Sequence, residues 1–165
     1  MTKATRTLNT VHFRRRKKGR NDYVKRIALL KSGLPRLVIR KSNSAITAHI
    51  VQFNPKGDIT LAHSSTRDLE KLGFKGKRNV PSAYLLGLLV AKRGLAKGVK
   101  KCIADFGLYT ASKGNILFAV VKGAVDGGLD INVGEEKLPS KDRLTGKHLK
   151  VDNTSVVSKI KEQKV

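Results

Sequence analysis

A chain of 165 residues can fold one domain around a hydrophobic core and still carry a polar extension. Its 35 Lys and Arg outweigh 12 Asp and Glu, giving a formal net charge of +23, with 39% apolar residues, 5% aromatics and no Trp. Such a charge calls for a polyanion, nucleic acid before an anionic membrane. Cys102 is the single cysteine, which excludes a disulfide framework and a cysteine zinc site. No stretch approaches the 18 uninterrupted apolar residues of a membrane-spanning helix, and the opening Met-Thr-Lys-Ala-Thr-Arg has no apolar core of a secretory signal. The expectation is a cytoplasmic protein with no membrane partner.

The elements in chain order begin with residues 1–20, a basic arm. It is poor in apolar side chains, so its order should come from its partner. Residues 1–40 hold 13 basic side chains against one acidic, whereas residues 101–165 hold 11 against eight, so the N-terminal half is expected to face the polyanion. A short helix follows, with Asn21 as N-cap, Val24, Ile27 and Ala28 at helical spacing, and Gly33 and Pro35 as its stop. Leu37-Val38-Ile39, Ala45 to Phe53 and Ile59 to Ala62 are predicted strands. The turns Lys41-Ser42-Asn43-Ser44 and Asn54-Pro55-Lys56-Gly57-Asp58 join them into an antiparallel meander.

A short helix is predicted at Thr66–Leu72. A long, largely buried one should run from Pro81 to Ala96, closed by Gly98. Lys101 to Phe106 reads as a buried strand; a strand–helix–strand order implies a parallel, right-handed crossover onto the meander. Ile116 to Val125 fits strand or helix by period, and its Ala and Lys favour helix. From Gly134 the chain is polar, with a short helix near Asp142–Lys150 and a charged tail over residues 151–165. The fold class is thus α/β: a mixed sheet of antiparallel meander and parallel crossover strand, flanked by helices. One domain spans residues 21–150.

Arg14, Arg15, Arg16, Lys17, Lys18 and Arg20 place six cations in seven positions. Arg forks two donors onto phosphate and Lys adds a point charge. A localisation tract or a solvated charge run could look the same, but the whole-chain charge favours RNA contact. Arg40, Lys41, Ser42 and Asn43 sit at a hairpin tip, where backbone donors, a hydroxyl and an amide can meet phosphate and sugar, or simply form a polar turn. Among Phe13, Tyr23, Phe53, Phe74 and Tyr109, core or anchoring roles are the rule. Phe13 and Phe74, in basic and Gly-rich surroundings, are the candidates for base stacking.

Enzymatic readings lack support. Asp105-Phe106-Gly107 spells the magnesium-binding tripeptide of kinases without its companion motifs, and Gly73-Phe74-Lys75-Gly76-Lys77 is too short for a phosphate loop. His12, His49, His63 and His148 lack metal-ligand spacing, and Glu135-Glu136 has no partner base nearby. No cofactor is expected. The rival readings are a nucleic-acid-processing enzyme of ribonuclease-H-like fold and a DNA-binding regulator. The first needs several carboxylates at strand ends to hold two metal ions, where only Asp58 and Asp105 stand; the second has no helix-turn-helix signature.

Val11-His12-Phe13-Arg14-Arg15-Arg16-Lys17-Lys18-Gly19-Arg20-Asn21-Asp22-Tyr23 resembles the arm of large-subunit ribosomal protein eighteen in its archaeal and eukaryotic form. Pro35 to Asn43 resembles that family's first strand and turn, and Ala83 to Arg93 its central helix. Phe118-Ala119-Val120-Val121-Lys122-Gly123-Ala124-Val125-Asp126-Gly127-Gly128-Leu129-Asp130 is similar to its last block. The similarity covers about residues 8–150. It implies a ribonuclease-H-like architecture without catalysis, and a helix at Ile116–Val125. It also implies a structural place in the central protuberance of the large ribosomal subunit, contacting 5S ribosomal RNA, the large-subunit ribosomal RNA and large-subunit ribosomal protein five. Phe13, Arg14 to Lys18, Arg20, Tyr23 and Arg40 to Asn43 become the RNA-binding candidates. Tyr109, where the family pattern has a basic residue, and Asn132-Val133-Gly134, in place of a Pro-His-Ser-like turn, depart from it.

Overall fold

The computed structural model describes residues 12–74, 78–146, 149 and 153–162. Three strands, β1 (Arg36–Lys41), β2 (Ile46–Gln52) and β3 (Ile59–Ser65), form the expected antiparallel meander. β4 (Ile103–Asp105) lies parallel to β1, giving the order β3-β2-β1-β4. Alternation sorts the sheet into two faces. Leu37 pairs with Ile50 and Ile50 with Ala62, while Ile39 pairs with Ala48 and Ala48 with Ser64, so these residues share the buried inner face. Arg36, Val38 and Arg40 fall on the outer face with His49 and His63.

Two helices cover the inner face: α4 (Val80–Ala96) and α5 (Ile116–Asp126). Pro81 opens α4 in its first turn, where a missing N–H leaves no bond unmade. Gly98 closes it at φ 79°, with Val99 N–H on Gly94 O and Gly98 N–H on Leu95 O, the paired bonds of a Schellman cap. α4 and α5 cross at near backbone contact. A Cβ at Gly87 would collide with the Val120 carbonyl oxygen, and one at Gly123 with that of Tyr84. α3 (Thr66–Glu70) begins in a capping box formed by Ser65 and Asp68.

Two expectations need correction. The helix after the arm, α2 (Tyr23–Leu30), is capped by Asp22, whose carboxylate accepts the Lys25 N–H at 3.1 Å, and not by Asn21. Its apolar residues do not reach the core: Val24 and Ile27 are 62% and 56% exposed. The stretch expected to be a charged tail holds α7 (Thr154–Glu162), which buries Val156 and Ile160; Lys92 on α4 donates to the Ile160 carbonyl at 2.7 Å. Val156 and Ile160, one turn apart, dock the helix with the half-buried Val157 beside them. Before it, α6 (Lys141–Thr145) occupies the start of the region expected to be a short helix.

Candidate nucleic-acid interface

Arg36 stands at the start of β1 on the outer face and is only 4% exposed. Its guanidinium donates to Asp105 Oδ2 at 3.0 Å and to Asp58 Oδ2 at 2.6 Å, which pairs the buried charge on both sides. Asp58 also takes Arg26 of α2 at 2.9 Å, and Lys25 donates to the Gly107 carbonyl at 3.0 Å. These polar ties hold α2 against the sheet in place of apolar packing. Asp58 and Asp105, the two carboxylates a two-metal nuclease site would have drawn on, therefore do converge, but on a guanidinium that fills the space between them.

Asp105-Phe106-Gly107 has a structural role. Asp105 Oδ1 accepts the Gly107 N–H at 2.8 Å, Gly107 turns the chain at φ 60°, and Phe106 is buried edge-on to Phe118 at 5.1 Å. Without a Cβ, Gly107 lets the Arg40 guanidinium lie against the turn; an added Cβ would sit 3.0 Å from its Cζ. Arg40 donates to the carbonyls of Ile39 and Asp105 at 2.8 and 3.0 Å and stays partly open to solvent.

The arm carries one turn of helix, α1 (Arg14–Lys17), with no buried residue. Arg14, Arg15, Arg16, Lys17, Lys18 and Arg20 are all exposed. Phe13 is 77% exposed and meets the Tyr23 ring edge-on at 6.0 Å, so an aromatic pair lies beside the charge run. Phe74 does not share that position. It is 4% exposed and part of the core, because the Gly73 turn folds it back onto α3, its N–H bonded to the Leu69 carbonyl. Sequence context had suggested an open aromatic there.

At the hairpin tip the Ser42 hydroxyl is spent within the turn. It donates to the Ala45 carbonyl and accepts the Ala45 N–H, each at 3.0 Å. Asn43 is exposed. The Lys41 ammonium lies 5.0 Å above the Tyr109 ring, and the Tyr109 hydroxyl donates to the Lys41 carbonyl at 2.7 Å. Tyr109 thus anchors the tip through both its ring and its hydroxyl.

The structure brings four of the candidates, Arg15, Arg20, Tyr23 and Arg40, around one concavity, and adds Lys25, Arg26 and Arg36 to them. The sequence did not mark these three. Their partners lie 82, 32 and up to 69 residues away, and no local pattern announces such pairing. The other candidates lie on the exposed α1 turn and at the hairpin tip.

On the sheet's outer face His49 and His63 are cross-strand neighbours with ring centroids 4.6 Å apart. Burial first, then the charges of His63 and Arg40, lower the His49 pKa. Cys102 is buried, and burial with the Asp130 charge pushes its thiol up to about 12. Among the described residues no three His, Cys, Asp or Glu are grouped to hold a metal ion, and no helix is long and apolar enough to cross a membrane. Residues 75–77 of the Gly73–Lys77 motif and His148 lie outside the described residues.

The chain is similar to known ribosomal proteins. The family described as ribosomal large subunit proteins 60S L5 and 50S L18 matches residues 9–100 and 96–133. A large ribosomal subunit protein uL18 of Caldivirga maquilingensis is 50% identical over 141 residues, covering 84% of this chain and 68% of the relative. Its namesake in Methanococcus maripaludis is 44% identical over 141 residues, covering 85% and 73%. An arm of exposed cations, a basic face floored by a neutralised arginine, and identity of this extent meet in one conclusion: the chain belongs to the family of ribosomal large subunit proteins 60S L5 and 50S L18, structural RNA-binding components of the ribosome and not enzymes.

Proposed function

We propose that the chain binds 5S ribosomal RNA and helps attach it to the large-subunit ribosomal RNA in the central protuberance, beside large-subunit ribosomal protein five. The observation that carries this reading is the division of the basic surface into an exposed part on the arm and a held part on the body. The arm offers exposed Arg and Lys with few internal partners, suited to phosphates wherever they run. The body offers Arg40 and Lys41, held by the Asp105 turn and by Tyr109, so their donors are fixed in space before RNA arrives. Fixed donors can read the shape of one folded RNA, which loose charge cannot. The family resemblance supports 5S RNA as that target.

Phe13, Arg14 to Lys18, Arg20, Tyr23, Arg40, Lys41 and Asn43 are the proposed contacts. Ser42 supports the turn, with its hydroxyl turned onto Ala45. The test is to purify ribosomal particles through a tagged chain, crosslink, and identify the RNA and protein joined to it. Crosslinks to 5S RNA, to the large ribosomal RNA and to protein five support the reading. Crosslinks confined to other RNA would overturn it.

A further inference from the structure

Between the arm, α2 and the turn after β4 lies a cavity of about 440 Å³. That is within the roughly 300–1,000 Å³ of small-ligand sites. Its polar wall is rich in donors: Arg15, Arg20, Lys25, Arg26, Arg36 and Arg40 against only Asp22 and Asp105. Both carboxylates are already engaged, Asp22 by the Lys25 N–H and Asp105 by Arg36 and the Gly107 N–H. The guanidiniums have donors to spare, since each carries five N–H groups. Whatever enters must therefore accept hydrogen bonds and carry negative charge.

The remaining wall is aromatic and aliphatic: Tyr23, Leu29, Leu108 and Tyr109. Leu108 is 55% exposed, an apolar side chain left open at the mouth. A bare phosphate would leave this wall uncovered, whereas an anion joined to a planar group would satisfy both. The frame is stiff, because Arg36 is clamped by Asp58 and Asp105 below and Tyr109 is tied to the Lys41 carbonyl above. Phe13 braces Tyr23 from outside.

We propose that this cavity receives a single unstacked nucleotide of the bound RNA, its base against Tyr23, Leu108 and Tyr109 and its phosphate among Arg15, Arg20 and Arg40. The proposal rests on the RNA-binding reading above and adds a nucleotide-specific site to it. Arg15 and Arg20 belong to the arm, so the strand that delivers the nucleotide is the one the arm neutralises.

The experiment is an abasic scan of the unpaired positions of 5S RNA against the full chain, repeated with Leu108→Glu and Leu108→Trp. Both variants alter an exposed side chain, the first by charge and the second by filling space, and their thermal transitions are checked first. For the unmodified chain, one abasic position should weaken binding about tenfold, the weight of one stacked base. In both variants affinity should fall similarly and the penalty at that position should vanish, while penalties elsewhere stay the same. If the unmodified chain does not prefer 5S RNA, the reading beneath fails and the proposal with it. If it does, but no position couples to Leu108, the nucleotide site alone is overturned. Saturable binding of AMP by the free chain without such coupling would assign the cavity to a free mononucleotide, and would overturn it too.

Discussion

Cys102 illustrates how burial decides the chemistry of a single side chain. The thiolate is the reactive form, and desolvation beside Asp130 raises its pKa to about 12. A raised pKa keeps the thiol protonated throughout the neutral range, so labelling of the native protein at pH 8 should be slower than that of the unfolded chain by at least about a hundredfold. Fast labelling of folded protein would mean that β4 opens at its start. At the hairpin tip the two polar side chains have different tasks, although the sequence presents them as a pair. Asn43→Ala should lower affinity for 5S RNA by about 1 kcal/mol and leave the thermal transition in place. Ser42→Ala should instead lower the transition, because it removes both side-chain bonds of the turn. Calorimetry beside RNA titration separates the two outcomes.

The elements most legible in the sequence were those with strong local punctuation. Asn54 to Asp58 marks the second hairpin, and Pro81 with Gly98 brackets α4. The ambiguous segment became α5 because Gly87 and Gly123 let two helices touch, a tertiary fact that periodicity does not contain. Gly123→Ala should destabilise the fold by about 1–3 kcal/mol or more, since the neighbouring atom is backbone and cannot rotate away; a chemical denaturation midpoint checks it. α7 escaped notice because its apolar anchors, Val156, Val157 and Ile160, are few and set among polar residues. α2 was legible as a helix from its apolar spacing, but what holds it, the Arg26–Asp58 ion pair and the Lys25 bond to the Gly107 carbonyl, was not. The arm, with no buried residue in α1, should be separable from the body. Deleting residues 1–20 should retain a cooperative thermal transition while RNA affinity falls sharply. A lost transition would make the arm part of the folding unit.

Across the whole molecule, charge was readable at once and its arrangement was not. The excess of cations in residues 1–40 gave the expectation that the N-terminal half faces RNA, but the concavity depends on Arg36 meeting Asp58 and Asp105 across the sheet. Net charge of +23 guarantees some affinity for any RNA, so binding by itself says little. With about 6–10 phosphates engaged, log affinity should fall against log salt with a slope of roughly −4 to −9. The same slope should hold for specific and unrelated RNA, because charge neutralisation is blind to sequence. On the proposed function, the fixed face is what distinguishes them. The decisive measurement is competition, at matched salt, between 5S RNA and an unrelated RNA of equal length. The expected result is a clear preference for 5S RNA that falls when Arg40 is replaced by Ala. Equal affinity for both RNAs would contradict the account, leaving a basic protein that binds RNA without choosing it.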